Sequence, residues 1–74
     1  MKAIPTKFFR KFLKSAGCHK DRNEGGHEIW DREGLLRPIV FRANEKEIPL
    51  LHIHTNLQDL GVSHKDFEKA IEEL

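Results

Sequence analysis

Residues Asn23–Asp31 read NEGGHEIWD: two glycines set directly before a histidine, then an apolar pair. Glycine tolerates positive φ at little steric cost, so Gly25-Gly26 makes a poor strand interior but a good hairpin turn. Ile29 and Trp30 favour extended backbone, which makes Glu28 to Asp31 the returning arm. Cys18 to Asn23, between a helix stop at Gly17 and the turn, is the outgoing arm. The turn holds His27 at a strand mouth, an edge position where an imidazole can meet a ligand.

Working outward, DREG (residues 31–34) is turn-like through Gly34. Leu36 to Arg42 reads as a third strand with Ile39, Val40 and Phe41 at its centre, and Pro38 marks an edge or an irregular start. The centre of the chain is therefore a three-stranded antiparallel meander. On its N-terminal side, Thr6 can cap a helix from about Lys7 to Ala16 that Gly17 stops. At about 100° per residue, Phe8, Phe9, Phe12, Leu13 and Ala16 share one side, and Lys7, Arg10, Lys11 and Lys14 share the other. The basic side is either a solvated face or a phosphate-facing stripe.

Beyond the polar connector Ala43 to Glu47, the segment IPLLHIHTNLQDLG (residues 48–61) has two readings. Leu50, Ile53, Leu57 and Leu60 repeat at helical spacing up to Gly61, and Pro49 suits a first turn. Leu51, Ile53 and Thr55 alternate as a strand would. The helix is preferred because the seam continues through Leu60. Ser63, with Asp66 three residues on, opens a last short helix whose apolar side is Phe67, Ile71 and Leu74. The expected order is α, β, β, β, α, α, an α+β arrangement in a single domain over residues 1–74.

At 74 residues, a single core barely offsets chain entropy, and no deep pocket is expected. No apolar run is long enough to span a bilayer, and MKAIPTKFFRKF lacks the apolar segment of a signal peptide. A cytoplasmic protein is expected. The single Cys18 agrees, since a secreted domain this small usually needs several disulfides, and it reads as a buried small hydrophobe. The net charge of +1 conceals an asymmetry. Lys2, Lys7, Arg10, Lys11 and Lys14 precede any acidic residue, whereas the last eleven residues carry Asp66, Glu68, Glu72 and Glu73 against Lys65 and Lys69. Uneven charge of this kind can serve polyanion binding. Nothing in the chain requires a homo-oligomer.

No Walker loop, CxxC pair, HExxH or GxSxG motif is present. Of the five histidines, His52 and His54 form an H-x-H pair that could chelate on a strand, but on a helix the two diverge by about 200°. No metal site or cofactor is expected. His19 and His64 read as surface residues. His27 differs by its setting. Histidine titrates near neutral pH and can act as general acid or base. RNA supplies its own nucleophile in the 2′-hydroxyl, so one such group with cations near the phosphate can support strand cleavage without a pocket. From GGH alone, the simpler reading is that His27 fills a strand end.

The ordered words KFLKSAGC (residues 11–18), GGHEIW (25–30), KEI (46–48) and LQDLGVS (57–63) together resemble the HicA (YcfA-like) toxins of type II toxin–antitoxin systems. These are small messenger-RNA endoribonucleases with a fold similar to the double-stranded RNA-binding domain. The resemblance spans nearly the whole chain. It implies that His27 is the catalytic histidine, presented by Gly25 and Gly26, and that a HicB-type antitoxin protein silences the enzyme. RNA contacts would come from Lys7, Lys11, Lys14 or Arg22 on phosphate, and from Trp30 as a base-stacking platform or else as core. Where members commonly carry a Pro-x-His word after the third strand, this chain has Ala43 and Glu45, so the resemblance assigns no second histidine. Two other classes fit the same residues: a non-catalytic RNA-binding module and a protein-interaction domain.

Overall fold

The hairpin at Gly25-Gly26 forms the middle of the molecule, which is seen in a computed structural model describing residues 3–74. In chain order the elements are β1 (Ile4–Pro5), α1 (Thr6–Ser15), β2 (His19–Glu24), β3 (His27–Asp31), β4 (Ile39–Arg42), β5 (Glu47–Ile48), α2 (Leu50–Leu60) and α3 (His64–Glu72). Strands β2, β3 and β4 form an antiparallel sheet in that order, and β1 pairs with β5 in a separate two-stranded ladder. The α+β meander expected from the sequence is present. The third strand is shorter than the expected Leu36 to Arg42, because Pro38 has no N–H for a ladder, and Leu36 stands 99% exposed outside it.

The β1–β5 ladder was not expected. Its register, Ile4 with Ile48 and Pro5 with Glu47, joins two-residue strands too short to show any alternation. It also changes the role of Thr6. Instead of capping α1, Thr6 lies inside the helix and its hydroxyl donates to the Glu45 carbonyl at 2.6 Å, while its N–H donates to the Lys46 carbonyl at 2.8 Å. The connector expected to be a plain loop is thus fastened to the start of α1.

Strand alternation assigns the sheet faces. Glu28 and Trp30 on β3 face the same way as their register partners Phe41 and Ile39 on β4. This side meets the core, in which Phe9, Phe12, Leu13, Ile53, Leu57, Leu60 and Phe67 from the three helices are buried. Phe12 meets Phe67 edge-on with ring centroids 4.7 Å apart, and Phe9 meets Phe41 edge-on at 5.5 Å, the offset geometry that ring quadrupoles favour. Cys18 is buried, as expected, and burial pushes its thiol up, against the pull of Arg32, so the reactive thiolate is disfavoured.

The helix boundaries follow local chemistry. Gly61, at φ 73°, closes α2 in the left-handed conformation, and Val62 N–H returns to the Leu57 carbonyl. Ser63 caps α3 by accepting from Asp66 N–H at 3.1 Å. On α3 Phe67 is buried and Ile71 packs against the core, but Leu74 lies beyond the helix and is 46% exposed, contrary to its expected place on the apolar side. No helix among the described residues is long and apolar enough to cross a membrane.

Candidate functional site

Gly25 and Gly26 have φ of 57° and 82°, positive at both central positions of the loop between Glu24 and His27. This is the handedness that matches the twist of the flanking strands. An added Cβ would meet nothing within 4 Å at either glycine, so a substitution there is opposed by backbone strain alone. Gly26→Ala should therefore destabilise the protein by about 1–2 kcal/mol, whereas Gly25→Asn should cost less because asparagine tolerates this conformation. Urea titration of the two variants checks the order.

The turn delivers His27 to the face of the sheet opposite the core. It is exposed, and its register partners are Glu24 on β2 and Arg42 on β4. Arg42 is therefore its immediate cross-strand neighbour on the same face, at a separation of about 5 Å between backbones. The Ala43 N–H donates to the Gly26 carbonyl at 2.9 Å, tying the end of β4 to the turn. His27 and Arg42 line a cleft of about 280 Å³ together with Val40, His52, Thr55 and Asn56. The far wall is α2, which packs along β4. The Asn56 side-chain amide donates to the Val40 carbonyl across 3.4 Å, covering part of the open edge of the sheet.

Under the turn lies a buried ionic group that the sequence did not disclose. Glu28 is 3% exposed. It accepts from Arg10 Nε at 2.9 and 3.1 Å and from Arg10 Nη2, and its Oε1 accepts from the Trp30 indole N–H at 3.0 Å. Arg10 also donates to the Ala43 carbonyl at 3.2 Å. Burial alone would push the Glu28 carboxyl up. Hydrogen bonds from Arg10 and Trp30, with the guanidinium charge, more than offset this and hold it below the usual carboxylate range.

This group decides between the two readings of Trp30 and corrects the reading of Arg10. Trp30 is 2% exposed and belongs to the core, so it offers no face on which a base could stack. Its indole N–H would cost about 1–3 kcal/mol if buried without a partner, and Glu28 supplies one. Arg10 does not belong to a solvated basic stripe, because its guanidinium turns inward to Glu28 and Ala43.

The remaining cations are distributed over both faces. Lys7, Lys11 and Lys14 are exposed on the outer side of α1, which covers the core face of the sheet, opposite His27. Lys7 and Lys11 place Nζ 5.4 and 5.8 Å from the centre of the Phe8 ring. Arg22 pairs in register with Ile29 and so shares the His27 face, but it is ion-paired to Asp21 and Glu24. None of these four lines the His27 cleft. Arg42 does, with its guanidinium also 3.7 Å from the Glu45 carboxylate, and sequence reasoning passed over it. The signal was its place at the end of the third strand, which an antiparallel meander brings beside the first residue after the turn.

Because residues 50–60 are helical, as preferred, His52 and His54 diverge. His54 Nδ1 lies 2.6 Å from His64 Nε2, so these two rings engage each other away from the cleft. His64 is half-buried, whereas His19 is exposed on β2. Among the described residues no three His, Cys, Asp or Glu side chains group as a metal site. No protein-family profile, curated protein or solved structure matches the chain.

Proposed function

We propose that the protein is a metal-independent endoribonuclease of the HicA type, a cytoplasmic toxin with a double-stranded-RNA-binding-domain-like fold. The observation that carries this reading is the pairing of His27 with Arg42 on adjacent strands at an open cleft. A phosphodiester bound there would have its charge beside a guanidinium and its ribose 2′-hydroxyl beside an imidazole. The 2′-oxygen attacks phosphorus and the 5′-oxygen departs. His27 moves a proton, while Arg42 favours the extra negative charge that develops on the phosphoryl oxygens in the transition state. The products are a 2′,3′-cyclic phosphate and a 5′-hydroxyl. Since the nucleophile belongs to the RNA, no water needs to be activated, and a shallow site suffices.

The helix–three strands–helix order supports the fold assignment, and the GGH turn supports the family. The α1 lysines lie on the far side of the sheet from His27, so the phosphate-binding role expected of them falls to Arg42. A HicB-type antitoxin would silence the enzyme by covering the cleft, with acidic side chains opposite Arg42.

The test is incubation of the purified chain with single-stranded RNA in excess chelator, followed by analysis of the product ends. Cleavage that persists and leaves cyclic phosphate and 5′-hydroxyl termini is expected. Loss of cleavage in chelator with recovery on adding a divalent ion would overturn the mechanism. Binding without cleavage would point to the non-catalytic RNA-binding module.

A further inference from the structure

His52 lines the cleft with His27 and Arg42, and it also lines an adjoining cavity of about 250 Å³ with Arg42, Glu45 and Glu47. The order of elements explains why. His27 stands on β3, Arg42 on the neighbouring β4, and His52 on α2, which packs along β4 from the other side. Two imidazoles from different elements thus open onto one cleft that also holds a guanidinium. His52 is exposed and takes no part in the core, so its ring is free to face the cleft. On the same helix His54 is engaged with His64 and Gln58, and Asn56 with Val40.

We propose that His52 is the second proton-transfer group of the site, acting with His27, an inference that rests on the ribonuclease reading above. Cleavage by the 2′-hydroxyl needs two proton movements. As the 2′-oxygen–phosphorus bond forms, the hydroxyl proton must leave; as the phosphorus–5′-oxygen bond breaks, the departing oxygen must receive one. One imidazole enters neutral and takes the first proton, and the other enters as imidazolium and gives the second. The pair exchanges protonation states, and the net proton count is unchanged. Such a pair works only where one ring is charged and the other is not, which makes the rate bell-shaped in pH. The charged groups facing the two rings are Arg42 from β4, Glu24 opposite His27 from β2, and Glu45 and Glu47 across the second cavity from His52.

The experiment compares the wild-type chain with His27→Gln and His52→Gln on a short RNA over a range of pH, with thermal melts to verify folding. Both substitutions are at exposed positions, so unchanged melts are expected. His52→Gln should cleave about a hundredfold more slowly and lose one limb of the bell. A second substrate, with sulfur in place of the scissile 5′-oxygen, has a leaving group that needs no proton. It should restore one of the two variants and not the other, thereby identifying the acid. A His52→Gln enzyme that keeps both limbs, whether at full or reduced rate, overturns the proposal, because a merely structural role gives that result. So does a sulfur substrate that restores neither variant. Failure of the wild-type chain to cut any RNA would instead remove the ribonuclease reading, and this inference with it.

Discussion

His27→Ala should lower RNA cleavage by about a thousandfold or more at neutral pH, within the range supplied by one well-placed acid–base group. Stability should stay within about 0.5 kcal/mol of wild type, as for a surface substitution away from special features. Both expectations follow from the same geometry. The imidazole lies on the open face at the first residue of β3, outside the core, and the turn that presents it is built from Gly25 and Gly26 rather than from His27 itself. Induction of wild type should arrest growth and induction of the variant should not, with circular dichroism and a thermal melt as the folding control. A variant that degrades RNA at the wild-type rate would remove His27 from the mechanism. One that unfolds would show that the residue belongs to the strand end.

The second large effect is expected beneath the site. Arg10→Met keeps most of the side chain's bulk but leaves Glu28 buried with only the Trp30 indole as partner. Removing one member of a fully buried pair costs roughly 3–5 kcal/mol. Here the Arg10 side chain is 34% exposed, so water screens part of the interaction and a loss of about 2–3 kcal/mol is expected by urea denaturation. For a chain of this size that is a large share of the total stability. The linked pH dependence has a definite sign. Because the folded carboxyl titrates below its usual range, the pair's contribution is complete above the unfolded glutamate pKa of about 4.3. It is lost as pH falls through the lower folded value. Wild type should thus show an acid limb of instability that is weakened in Glu28→Gln, which cannot ionise. Equal acid limbs in the two proteins would mean that Glu28 is not the group responsible. Arg10 also holds the Ala43 carbonyl at the end of β4, so Arg10→Met should reduce cleavage as well, by loosening the strand that carries Arg42.

The local features were legible in the sequence because they depend on neighbours in the chain. Glycine at positive φ, the Gly17 and Gly61 helix ends, and the Ser63 cap involve contacts within a few residues. The α1 seam at Phe9, Phe12 and Leu13 and the α2 seam at Ile53, Leu57 and Leu60 follow from periodicity, although Phe8 and Leu50, placed on the same seams by spacing, are half-buried and exposed. For the same reason the hairpin and the placing of His27 at its mouth could be read from NEGGHEIWD, and the third strand from the apolar run Ile39-Val40-Phe41. What the sequence could not convey is which charged residues turn inward and which residues distant in sequence meet. Arg10 looked like a member of the α1 basic face, yet a carboxylate eighteen residues away draws it in, and the indole of Trp30 needs that carboxylate in order to be buried. Thr6 looked like a cap but is bound to a carbonyl thirty-nine residues on. Arg42 and His52 reach the His27 cleft only because an antiparallel register sets β4 beside β3 and α2 packs along β4. Contacts of that kind are decided by the free energy of burying apolar surface with every polar group satisfied, a property of the whole packed chain, whereas turns and helix ends are decided by the φ preferences and hydrogen bonds of a few consecutive residues.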